Sequence, residues 1–199
     1  MAANEIILQN ASAAEKFLIS NKILGLVAIV GAPMLLVEAI IRFCVPDTNG
    51  FHNQICAFLE FIYILGWVSG AAGMRRLRVT GDGKPAKILF CVQLLGLVLA
   101  SLLNIQDLLQ ITAEQSGIFY NITDAAYPFS HLLMLIVGSF AIKAKIWRGI
   151  RLTAPFLVGL ALPVFFALSA TFGFEKAVFA FPVMTATGFL IIGFSLWRE

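Results

Sequence analysis

The chain has 199 residues, of which 60% are hydrophobic and 13% charged, and its mean hydropathy is +0.91. A water-soluble domain of this length carries about 45–50% apolar and about 25% charged residues, so a soluble interior is excluded and lipid is the expected solvent. The net charge of +3 does not point to nucleic acid, because the basic residues sit in short loops between apolar stretches, where membrane orientation accounts for them.

Residues 1–22 read as a short leader. It lacks the cationic start of a secretory signal peptide, with Glu5 and Glu15 where Lys or Arg would be needed, so the first apolar stretch is expected to remain in the mature protein. Ser12-Ala13-Ala14-Glu15 has the form of a capping box, and a helix starting there would run on into that stretch.

A bilayer core of about 30 Å needs roughly 20 apolar residues per helix. Six stretches qualify: Ile23–Cys44, Ile55–Met74, Ile88–Gln110, Ala125–Ile146, Leu152–Thr171 and Ala177–Trp197. The expected fold is therefore all-α: a single polytopic domain over residues 23–199 with six transmembrane helices. Pro33 should bend the first span. Pro128 is expected in the first turn of the fourth, where a residue has no helical hydrogen bond to lose. Residues 172–176 are too few for anything but an antiparallel hairpin of spans five and six.

Orientation follows from the cations. With both termini on one side, that side collects Lys16, Lys22, Arg75, Arg76, Arg78, Lys84, Lys87, Lys143, Lys145, Arg148, Arg151 and Arg198, leaving Arg42 and Lys176 opposite. The positive-inside rule then puts both termini in the cytoplasm, in a plasma membrane or a bacterial inner membrane. Trp147 and Trp197 fall at the cytoplasmic ends, as an aromatic belt would place them. Asn121-Ile122-Thr123 is a glycosylation sequon on the outer side. Cys44 and Cys56 flank the first outer loop, where a disulfide is conceivable but two buried thiols are the commoner arrangement.

Ionisable groups within spans are costly and rarely face lipid. Here Glu38, Arg42, Glu60, Asn104, Asp107 and His131 all fall in the outer halves of spans one to four, while spans five and six are rich in Phe and almost free of polar side chains. The simplest arrangement is four helices closed around an outward-facing polar layer, with the Phe-rich hairpin against lipid or a partner subunit. Glu38 and Arg42, spaced i,i+4 with the acid first, read as a structural ion pair. Asp107, one turn from its span end, is expected to meet water. Glu60 sits deeper and needs a partner. Glu60, Asn104, Asp107, Tyr127 and His131 are the candidate ligand-binding residues.

No catalytic residue, cofactor or metal can be assigned. There is no HExxH pattern, nucleophile elbow or P-loop, and a haem would need His52 and His131, the only two histidines. The leading expectation is a membrane protein that binds or transports a proton, a cation or a small amphiphile through an outward-facing pocket. A structural or accessory subunit is the alternative, either as a homo-oligomer or with a membrane partner, using the Phe-rich hairpin and the glycines Gly66, Gly70, Gly73, Gly188 and Gly193. For those glycines, packing within one chain is favoured. An embedded enzyme using His131 with a carboxylate comes third.

Overall fold

The computed structural model describes residues 20–46 and 51–199, and the Ser12–Glu15 capping box lies outside these. Ser20 caps the first helix, its hydroxyl accepting from the Ile23 N–H at 3.3 Å. The first span is two helices, α1 (Asn21–Gly31) and α2 (Met34–Cys44), broken at Ala32–Pro33, where proline offers no N–H to continue the ladder. Then follow α3 (His52–Arg76), α4 (Lys84–Leu108), the single turn α5 (Ala113–Ser116) and α6 (Ile118–Ala144). After a 3₁₀ turn at Gly149–Leu152, α7 (Thr153–Phe172) leads through Gly173 and the turn α8 (Phe174–Ala177) into α9 (Ala180–Trp197). These elements make six spans long and apolar enough to cross a membrane, and no strand occurs among the described residues. The chain is an all-α integral membrane protein.

The fourth span begins earlier than expected, at Ile118 rather than Ala125. The reason is local. Thr112 and Gln115 form a capping box that starts α5, Gly117 at φ +58° ends it, and the chain re-enters a helix at once. Pro128 therefore lies inside α6, not in its first turn. The sequon threonine, Thr123, is buried in this helix and bonded to Gln106 at 3.1 Å, instead of standing in a loop.

Three helix ends among the described residues use a left-handed residue other than glycine, one of them Lys145 at φ +56° after α6. At the end of α3 the Val79 N–H bonds Met74 O and the Arg78 N–H bonds Arg75 O, with Arg78 at φ +54°. Ile111 to Gln106 and Gln110 to Asp107 repeat the arrangement after α4, with Gln110 at φ +59°. In the loop after α3, Asp82 meets Arg75 at 3.1 Å and Arg78 at 3.5 Å. These guanidinium groups, Arg75 first by its hydrogen bond, hold the Asp82 carboxyl below the ordinary aspartate range.

The spans form a closed ring, each packed on its chain neighbours, with α9 returning to α1 and reaching across to α3. This corrects the expected four-helix group. The sixth span is half buried, against 28% for the fifth, and Phe189 is fully enclosed. Lipid-facing phenylalanines such as Phe166 and Phe194 occupy only the outer side of the hairpin. Glycines explain why α9 fits. A Cβ on Gly25 would lie 2.6 Å from the Gly193 carbonyl oxygen, and one on Gly66 2.8 Å from the Gly31 Cα, so backbones touch at both crossings. Trp147 is 2% exposed and belongs to the core, so it is no interfacial anchor, whereas Trp197 is half exposed. All three cysteines are free thiols, with Cys44 exposed and Cys56 buried.

The charges separate along the bundle axis. Among the described residues only Arg42 and Lys176 carry positive charge at the end where Glu38, Glu60, Asp107, Glu114, Asp124 and Glu175 gather. We call this the acidic end and the other the basic end.

Candidate functional site

At the acidic end the helix break at Pro33 lets α2 set Glu38 toward the bundle interior, with Arg42 one turn on at its partly solvated margin. Glu38 is 6% exposed and ion-paired with the Arg42 Nε. The same guanidinium reaches across to α3, where its terminal nitrogen meets the Glu60 carboxylate at 3.1 Å. His52 fixes the start of α3 against α2, its ring Nε2 donating to the Ile41 carbonyl at 2.7 Å. One cation thus serves two acids on two helices.

Two cavities meet at this triad. The first, about 290 Å³, lies between α2, α7, α8 and α9 and is walled by Leu35, Ala39, Phe43, Leu162, Phe165, Phe174, Val178, Phe181 and Pro182. Its polar margin is Glu38, Arg42, Glu60 and Tyr127. The second, about 510 Å³, lies between α3, α4 and α6 and is lined by Asn53, Ala57, Asp107, Gln110, Ile111, Thr112, Ala113 and Tyr120, again with Arg42 and Glu60. The apolar and polar cavities therefore share two residues, and those two form an ion pair.

Of the sequence candidates, Glu60 and Asp107 line the polar cavity together, and Tyr127 with Glu60 lines the apolar one. Asp107 is partly buried rather than freely exposed, because the Tyr120 hydroxyl donates to it at 2.9 Å. Asn104 is buried on α4 and lines neither cavity.

His131 also lies outside both cavities. It is fully buried, with ring centroids 4.5 Å from Trp67, 4.9 Å from Tyr127 and 4.9 Å from Phe181. Its Nδ1 stands 3.0 Å from the Val158 carbonyl. A carbonyl only accepts, so Nδ1 carries the proton and Nε2, which has no partner, is the bare nitrogen. Tyr127 and Phe181 separate this ring from the apolar cavity, whose wall they form. His131 supports that wall from behind. His52 and His131 are each committed to a carbonyl of a different helix, and no three His, Cys, Asp or Glu among the described residues stand close enough to hold a metal ion.

Sequence reasoning missed Arg42 as the centre of the site, treating it as half of a local pair. The available signal was that Arg42 is the one cation within a span on the otherwise acidic side. It also missed Phe165, Phe181 and Pro182, which an apolar run cannot distinguish from lipid-facing neighbours. Gln106 was missed too: buried, it bonds Ser116 at 2.8 Å and Thr123 at 3.1 Å, and so ties the α5 turn down beside the polar cavity.

No family model, curated protein or solved structure matches the chain.

Proposed function

We propose that this membrane protein binds a small amphiphile at its acidic end, with the headgroup in the polar cavity and the apolar chain in the Phe-lined one. A single observation carries the reading: the two cavities, opposite in character, share Arg42 and Glu60. A site for a bare ion or proton would not need an apolar compartment beside the charges. A pocket for a purely apolar molecule would not need an ion pair at its margin, since burying charge is costly. Apolar walls with a few placed polar groups are the usual makeup of a small-molecule site.

The cation asymmetry orients the site. Under the positive-inside rule the basic end and both termini face the cytoplasm, and the cavities open toward the opposite leaflet. Binding there serves capture or carriage of the amphiphile across or out of that leaflet.

The test uses the purified chain in phosphatidylcholine nanodiscs and an uncharged twelve-carbon alcohol as probe. Binding should saturate above the background of empty discs. Leu162→Trp, which fills the apolar cavity, should weaken it by about tenfold, the equivalent of about 1.4 kcal/mol. Absence of saturable binding, or a Leu162→Trp variant that binds like the parent, would overturn the proposal.

A further inference from the structure

We infer that the amphiphile accepted here carries a cationic head, of the ammonium or quaternary ammonium class; this rests on the amphiphile reading above. The charges lining the polar cavity decide the sign. Among the described residues Arg42 is the one cation lining either cavity, and Glu38 and Glu60 already engage it from two sides. An anionic head would meet a guanidinium whose charge Glu38 and Glu60 already share, and would face the Glu60 and Asp107 carboxylates in the same cavity.

Asp107 has the opposite standing. Its hydrogen-bond partner is the neutral Tyr120 hydroxyl, and no described cation lies within ion-pair distance of it. Two acids facing one shared cation, with a third across the cavity, leave the site short of positive charge. A ligand can supply it.

Two observations independent of the acids point the same way. Tyr120, which lines the polar cavity beside Asp107, brings an electron-rich ring to the compartment a head would occupy, and Tyr127 stands with Glu60 on the apolar side of the junction, where the head meets the chain. In addition, the Tyr127 hydroxyl is sealed from solvent beside that of Tyr63 without a hydrogen bond of normal geometry, so the fold does not fully use the polar capacity of this margin. The apolar wall next to it then takes the chain, which a hydrated inorganic cation would not need.

The experiment compares three twelve-carbon probes in phosphatidylcholine nanodiscs: dodecyltrimethylammonium, dodecanol and dodecyl sulfate. The cationic probe should bind at least about fivefold tighter than the neutral one, and the sulfate weakest. Asp107→Asn, which breaks no ion pair and keeps an acceptor for Tyr120, should lower the cationic-to-neutral affinity ratio about fivefold. Glu60→Gln should lower the same ratio. If dodecanol saturates the site as well as the cation does, or the sulfate binds tightest, the cationic assignment is overturned while amphiphile binding stands. If no probe saturates, both fall.

Discussion

Arg42 joins α2 to α3 through Glu60 at 3.1 Å while holding Glu38 one turn behind it on its own helix. The two acids differ in exposure: the Glu38 side chain is 8% accessible and that of Glu60 27%. Removing the cation therefore strands one buried and one half-sheltered carboxylate. Arg42→Ala should cost about 3 kcal/mol or more, the usual penalty for leaving a buried charge alone. Glu60→Gln should cost less than about 1 kcal/mol, because its partner is partly solvated and the amide oxygen still accepts. Thermal unfolding of the detergent-solubilised variants separates the two, and equal melting temperatures would show that Glu38 does not depend on Arg42.

The contact of Gly66 with Gly31 makes a second prediction, about the bundle instead of the site. A methyl group at Gly66 meets backbone, which cannot rotate away, so Gly66→Ala should destabilise by about 2 kcal/mol. Gly83→Ala is the control. Its Cβ would meet only the Pro85 ring at 3.6 Å, an ordinary contact, and its effect should stay within about 1 kcal/mol. Similar melting for the two variants would mean that the helices separate easily at that crossing.

Much of the fold could be read from the sequence because lipid imposes a simple rule. Each crossing needs a long apolar run, and Pro33 and Gly173 break helices by chemistry that acts within one or two residues. Positions set by packing could not be read. The early start of α6 depends on the Thr112–Gln115 box and Gly117 acting together, and the closure of α9 onto α1 depends on glycines 168 positions apart, Gly25 and Gly193. The site divided in the same way. Glu60 and Asp107 were visible as acids out of place in apolar helices, and they do share a cavity. His131 looked equivalent on that criterion, yet its ring turns into the aromatic interior, because rotation about the α6 axis is fixed by neighbours the sequence does not name. Phe165 and Phe181 carry no local mark that separates cavity wall from lipid-facing surface.

Orientation can be checked with a native thiol. Cys44 is free and exposed at the acidic end, and Gly83 starts α4 at the basic end. A membrane-impermeant maleimide added to intact cells should label Cys44, and Cys44→Ser should abolish that labelling. Gly83→Cys in the Cys44→Ser background should react only after the membrane is opened. The reverse pattern would place the basic end outside.

The most direct measurement of the amphiphile site is photo-crosslinking with an alkylammonium probe bearing a diazirine at the end of its chain, followed by mass spectrometric mapping. The account predicts adducts concentrated at Leu162, Phe165 and Phe181, suppressed by Leu162→Trp and by excess unlabelled probe. Adducts spread over lipid-facing positions such as Leu95 and Val98, insensitive to competitor, would contradict it.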